Sequence, residues 1–344
     1  MPQISPQFQQ LENFFNGFMS RIIGANHLVV IMPASIGDFI FNGILAHALK
    51  KKYNKDIILL VQERFKDFKI KFDGVREIFY IPLEMMLSLQ RYIIATGKYS
   101  GEGYIYGHFP LNMNRKFEPY FMDRELYFLD RYKKNYGLPL DTPIHNPIIA
   151  DIDESRKAEL HQKYNLDKER TVILFPVCSS YLEMNSDKFS NFWRKLTREF
   201  NERGYTVYEN IGKNHQNQKD SFQFGNEPLE VNINELCYIA DKVKCCIGMR
   251  SGIFDVLSFT KANLFAVMGT FGWYYDLKTV FPESNSRTFY TAAPMLNELK
   301  LISEKYAATS INVSNLAFKN IDNSNVYITE EDLMAAILTE LEKL

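Results

Sequence analysis

The apolar positions fall into two series, in each of which short unbroken runs alternate with stripes at helical spacing. In the first, "HLVVIMP" (27–33), "DIILLVQ" (56–62) and "REIFYIP" (76–82) have the length and composition of buried strands. Helical patterns fill the segments between the first two runs and after the third. Ahead of them, Leu11, Phe14, Phe15, Phe18, Met19 and Ile22 give a helix with one apolar face. Because Arg21 alone supplies positive charge there, the face is expected to pack behind the first strand rather than on a membrane. The second series begins near residue 170 with "TVILFPV" (171–177). It continues through "YTVYENI" (205–211), "LEVN" (229–232), "KCCIGM" (244–249) and "NLFAVMG" (263–269). Between its first two strands, Phe189, Phe192, Leu196 and Phe200 make one helical stripe, with Asn185 or Ser186 to cap it and Gly204 to end it. Strands alternating with helices predict parallel, doubly wound sheets.

Two stretches break the rhythm. Residues 97–140 are rich in Tyr, Phe, Arg and Lys, with glycines at 101, 103 and 107, and read as loops and short helices facing a cleft. Around Pro143 and Pro147 the chain reads as an extended linker. The expected organisation is a domain over 1–150, a second over 151–329, and a terminal helix over 330–344 that could cap either. The class is α/β, with two Rossmann-like, doubly wound domains facing a central cleft. Such halves suit a donor and an acceptor brought together from opposite sides, since ligands bind outside the carboxyl ends of the strands.

Composition narrows the chemistry. A chain of 344 residues, 46% hydrophobic, is long enough for two cores. Lys plus Arg (40) balances Asp plus Glu (41), so no overall field recruits nucleic acid, and any charged-ligand site is local. Cys178, Cys237, Cys245 and Cys246 show no CxxC spacing, which argues against zinc and against a disulfide framework and suits a reduced, cytoplasmic protein. No apolar run approaches a membrane span, and the N-terminus does not read as a signal peptide.

The common nucleotide and hydrolase signatures are absent: no GxGxxG after the first strand, no GxxxxGK[ST], no GxSxG and no HExxH. "DID" (151–153) has the form of a metal-binding DxD pair, but it precedes "ESRKAEL", where Asp residues cap a helix and favour its positive end. Two loops of the second series are more telling. "FPVCSS" sets Ser179 and Ser180 directly after a strand, where hydroxyls and backbone N–H groups can hold phosphate oxygens or simply make a turn. In "CIGMRSGIFDVLSF" (246–259), Arg250, Ser251 and Gly252 form a turn between strand and helix. Arg250 there is either an anion ligand or one half of a structural bridge to Asp255. In the first series, "PASIGDFIFNGILAHAL" (33–49) puts Asp38 between the first strand and its helix, where it can cap the helix or act as a base.

Three segments carry a resemblance. "SIGDFIFNGILAHALKKKY" (35–53) resembles the N-terminal Gly-Asp segment of the heptosyltransferase-like glycosyltransferases of family 9. "VILFPVCSSYLEMNSDKFSNFWRKLTREFNERGYTVYEN" (172–210) is similar to the strand, phosphate loop and helix that open that family's donor domain. "INELCYIADKVKCCIGMRSGIFDVLSF" (233–259) is similar to its last long motif. They occur in family order and span most of the chain.

The resemblance implies a GT-B fold whose last helix crosses back onto the first domain. It implies inverting, metal-independent transfer without a cofactor, from a nucleotide-sugar donor to a glycan or glycolipid acceptor in surface polysaccharide, lipopolysaccharide, capsule or glycoconjugate synthesis. Asp38 then stands at the base's position. Ser179, Ser180, Arg250, Ser251, Gly252 and Asp255 stand at the donor and Ser35 and Gly37 at the acceptor, while His108 and Arg115, read from the aromatic segment "YIYGHFPLNMNRKFEPY" (104–120) itself, could contact acceptor sugar or phosphate, with the rings of Tyr104 and Tyr106 offered to sugars. Contact with the inner face of the membrane is expected only for a lipid-linked acceptor. This chain departs from the family in having Arg250 in place of an acidic residue, Asp255 in place of a His, and no Lys soon after the hydroxyl pair, Lys188 coming later. ADP-heptose is therefore not carried over as donor. A non-catalytic nucleotide- or glycan-binding relative acting as an assembly partner is the alternative reading.

Overall fold

The first sheet is built on β1 (His27–Ile31), with β2 (Asp56–Gln62) on one side and β6 (Tyr104–Tyr106) on the other, and its strand order is β4-β2-β1-β6-β5. Here β4 is Val75–Ile81 and β5 is Ser100–Gly101; every pairing is parallel except the β5–β6 hairpin. A separate antiparallel pair joins β3 (Ile70–Lys71) to β7 (Ile148–Ile149). The computed structural model describes residues 6–24, 26–32, 35–107, 128–176, 187–211, 226–269, 281–291, 326–327 and 329–344. Those up to Ala150 form one unit and those from Asp151 a second.

In the first unit, α1 (Pro6–Ile22) and α3 (Leu83–Thr96) cover the sheet face that carries Val29, Ile31, Ile58 and Leu60. Phe15 and Met19 enter that core, and Phe15 stacks on Tyr92 at 4.5 Å, so the apolar face of α1 is a packing face. The helix α2 (Ile36–Tyr53) packs against β1, β2 and β4. Ser35 starts it with a capping box, and Lys50, Lys51 and Lys52 lie in its last turn, where positive charge complements the helix dipole.

The stretch expected as loops contains a core strand. Tyr104 and Tyr106 of β6 are buried, and Tyr104 donates its hydroxyl to Lys98 O at 3.1 Å. Their rings are therefore part of the domain's packing and do not offer faces to a sugar. After it comes α4 (Phe128–Asn135), held to α2 by stacking of Tyr132 on Phe41 at 5.2 Å. Lys52 adds hydrogen bonds from Nζ to Tyr136 O (2.6 Å) and Gly137 O (2.8 Å).

The second unit opens with α5 (Glu154–Lys163), whose N-cap Asp153 accepts from Arg156 N at 2.8 Å, while Asp151 pairs with Lys157 at 2.5 Å. The "DID" carboxylates thus serve the helix start. The parallel sheet runs β10-β9-β8-β11-β12-β13-β14. In chain order these are β8 (Thr171–Phe175), β9 (Thr206–Asn210), β10 (Glu227–Leu229), β11 (Cys245–Met249), β12 (Asn263–Gly269), β13 (Asn285–Thr291) and β14 (Val326–Tyr327). The stripe of α6 (Asp187–Glu202) is buried at Phe189, Phe192, Leu196 and Phe200, joined by Trp193. Gly204 follows it at φ 78°. The residues proposed to cap α6, Asn185 and Ser186, lie outside the described residues. Next come α7 (Ile233–Ala240) and α8 (Gly252–Leu257).

The last helix, α9 (Glu330–Glu342), packs against α6, β13 and β14. Arg203 to Glu342 (2.6 Å) and Lys195 to Glu331 (3.1 Å) pin it to α6. These contacts lie within the second unit. Cys237, Cys245 and Cys246 are buried free thiols, and Cys178 lies outside the described residues. Among the described residues no helix is long and apolar enough to cross a membrane.

Candidate functional site

In a doubly wound sheet the ligand crevice opens where the strand order reverses, beyond the carboxyl ends of the two strands that flank the reversal. In the first sheet that point lies between β1 and β6. Met32 leaves β1 there, α2 starts from its cap Ser35, and Gly107 leaves β6, its N–H donating to Ile31 O at 2.8 Å. Asp38, in the first turn of α2, is therefore held beside this switch point by the fold.

Its carboxylate is buried and engaged on both oxygens. Oδ2 accepts from Ser35 N at 2.9 Å and from Ser35 Oγ at 2.7 Å, while Asp38 N donates to Ser35 Oγ at 3.3 Å. Oδ1 accepts a hydrogen bond from the hydroxyl of Tyr132 on α4. The side chain of Asn42, fully buried one helical turn on, donates to Asp38 O at 2.7 Å and to Gly107 O at 2.9 Å, tying α2 to the end of β6. Gly37 is buried in the first turn of α2. Burial drives the Tyr106 hydroxyl up to about 12 and that of Tyr136 well above its usual value, and in both cases the Asp38 charge pushes the same way. The hydroxyls of Tyr106 and Tyr136 are thus held neutral.

Sequence reasoning finds Ser35, Gly37 and Asp38, and the structure brings them together. It misses Tyr132 and Asn42. Asn42 carries a weak signal, a polar residue inside the apolar stretch "FIFNGIL". His108 and Arg115 lie outside the described residues.

In the second sheet the order reverses between β8 and β11. Ser179 and Ser180, after β8, also lie outside the described residues. After β11, Arg250 N donates to Val267 O at 2.9 Å, and Arg250 Nη2 lies 3.0 Å from each oxygen of Asp255. Arg250 is 7% exposed and Asp255 not at all, so the structural bridge to Asp255 is present. Asp255 thus touches the guanidinium through both of its oxygens. Ser251 is the N-cap of α8 without a side-chain cap bond, half-buried, and Gly252 is the first helical residue. The turn thus joins a guanidinium, a hydroxyl and a helix start, groups suited to phosphate oxygens. Among the described residues, one cluster has metal-ligand chemistry: His47, Asp73 and His145.

No protein-family model matches the sequence, and neither does any curated protein. Among solved structures, the chain is similar to a glycosyl transferase family 9 protein from Veillonella parvula DSM 2008. That match has TM-score 0.52 at 15% identity, covering 94% of this chain and 99% of that one. It is also matched by E. coli ADP-heptose lps heptosyltransferase II, with TM-score 0.49 at 16% identity, over 81% of this chain and 99% of that one. The first likeness, running the length of both chains, identifies the architecture as the GT-B fold of two doubly wound units.

Proposed function

We propose that the chain is a glycosyltransferase that moves a sugar from a nucleotide-sugar donor to a hydroxyl of a glycan or glycolipid acceptor, with inversion and without a metal. The observation that carries this reading is a pair of switch points in one GT-B chain. One carries the buried carboxylate of Asp38, and the other the Arg250-Ser251-Gly252 turn. In the reaction, Asp38 takes the acceptor hydroxyl's proton as that oxygen bonds to the anomeric carbon. The bond to the diphosphate breaks on the opposite face, and its electron pair leaves with the diphosphate. Ser35 and Tyr132 hold the carboxylate in place. Arg250, oriented by Asp255, and Ser251 meet the charge that develops on the leaving group, as would Ser179 and Ser180. With a lipid-linked acceptor, transfer would take place at the inner membrane face.

A second reading is favoured by the geometry of Asp38 itself. Its two oxygens already serve Ser35 and Tyr132, as in a purely structural cap, which suits a nucleotide- or glycan-binding relative without turnover.

One experiment separates the two. Thermal stabilisation is measured with UDP, GDP, ADP, CDP and CMP for the wild type and Ser251→Ala, because a ligand selective for the native state raises its stability. The selected nucleotide's sugars are then offered to an acceptor panel with wild type and Asp38→Asn. Selective stabilisation weakened in Ser251→Ala, with transfer that Asp38→Asn abolishes, is the expected result. Binding without turnover favours the second reading, and stabilisation by no nucleotide overturns the donor site.

A further inference from the structure

Nine positions along α2 from Asp38, about 13 Å at the rise of an α-helix, three potential ligands from distant parts of the chain converge. His47 Nδ1 lies 2.8 Å and His145 Nδ1 2.9 Å from the same oxygen of Asp73, Oδ2. The two imidazole rings stack at 4.1 Å with their planes 17° apart.

The backbone builds this meeting. Gly74, beside Asp73, sits at φ 82°, and a Cβ there would come within 2.6 Å of His47 Cα, so the β3–β4 turn presses directly on α2. His145 is tied to the same helix, its N–H donating to Ile44 O at 3.1 Å. It also lies just ahead of β7, which pairs with β3. Three segments are thus fixed independently of the side chains that meet.

We propose that His47, Asp73 and His145 bind a divalent transition-metal ion that clamps α2, the β3–β4 turn and the segment before β7 together. Two imidazoles and a carboxylate match the preferences of zinc, cobalt and nickel, whereas magnesium and calcium favour oxygen ligands. Ligands at about 2.0–2.2 Å around a tetrahedral ion lie about 3.3–3.6 Å apart, so the Nδ1 to Oδ2 separations of 2.8 Å and 2.9 Å need to open by only about half an ångström to admit one.

Without the ion, each Nδ1 carries a proton that it donates to Asp73. On binding, each neutral ring moves that proton to Nε2 by exchange with water and turns its Nδ1 lone pair to the metal. All three side chains are a third to a half exposed, so water can complete the coordination. The distance along α2 and the exposure make this a structural or regulatory site, independent of any proton transfer at Asp38.

The test is titration of the chelator-treated full chain with Zn²⁺ and with Co²⁺, read by calorimetry and by bound metal after dialysis. The panel comprises wild type, His47→Gln, His145→Gln, Asp73→Asn and the double histidine variant, with His161→Gln as a control for adventitious histidine binding. One ion per chain is expected in wild type and His161→Gln, with a rise in the thermal transition. Loss of a ligand should weaken binding by at least about tenfold, since even changes to outer-shell partners cost that much. Absence of saturable binding in the wild type, or wild-type binding by the double variant, would overturn the site. Asp73→Asn, which changes little in shape, guards against a loss caused by misfolding.

Discussion

Arg250 and Asp255 are the most strongly coupled charges in the second unit's switch-point turn. Asp255 has no exposed surface and Arg250 very little, so neither charge has water to fall back on if the other is removed. Truncation to Arg250→Ala should therefore lower stability by about 3–5 kcal/mol, the cost of breaking a buried pair from one side. The double variant Arg250→Met/Asp255→Leu, which fills the space with apolar atoms, should recover most of that loss in a denaturant melt. It should nevertheless fail to be stabilised by any nucleotide that stabilises the wild type. A double variant that keeps nucleotide binding would reduce the pair to a structural bridge. Because of this coupling, Ser251→Ala is the better first probe of the donor site: its side chain makes no cap bond whose loss would unfold the turn.

At the scale of elements, α4 is the piece that completes the surroundings of Asp38, and Tyr132 is its point of attachment. Tyr132→Phe keeps the stack on Phe41 but removes one donor from a buried carboxylate. We expect a loss of about 1–3 kcal/mol in the unfolding free energy, and, if Asp38 is the base, a fall in kcat larger than any rise in KM. An unchanged kcat would leave Tyr132 a docking residue only. The sequence could not reveal this contact, because Tyr132 comes 94 residues after Asp38 and nothing in "RYKKNYG" marks one tyrosine for a carboxylate. By contrast α2 and α6 were legible, since each is long enough to show its period and carries its own start or stop signal, and β2 was legible as an unbroken apolar run. The strand β6 was not, because three residues between glycines show no period, and buried tyrosines look like surface aromatics. β13 was hidden by polar residues that the fold satisfies internally: Ser284 and Ser286 are buried and share a hydrogen bond of 2.7 Å. Asp38, Arg250 and the hydroxyls could be found because their chemistry sits beside strand ends. Partners close in sequence, Ser35 and Asp255, could be found as well, whereas the distant Tyr132 could not.

For the molecule as a whole, the alternation of strands and helices was enough to imply two switch points, and each sheet has the strand reversal that creates one. The second sheet also contains a carboxyl group that makes its stability depend on pH. Glu209 on β9 sits in register between Leu174 on β8 and Pro228 on β10, is 2% exposed, and is pushed up to about 8 by burial, against a smaller opposing effect of Asn226. In the unfolded chain the same group ionises near its ordinary value of 4.5. Between these values the folded state holds a proton that the unfolded state has released, so stability falls as pH rises across that window. Below it both states are protonated, and above it both are ionised with the buried charge at its full cost. Glu209→Gln, which keeps the shape and removes the titration, should flatten this part of the profile in melts from pH 5 to 9. Its advantage in melting temperature over the wild type should grow towards pH 8 and level off above it. Parallel wild-type and variant profiles across that range would mean that Glu209 is ionised in the folded sheet, with its charge met by the protein.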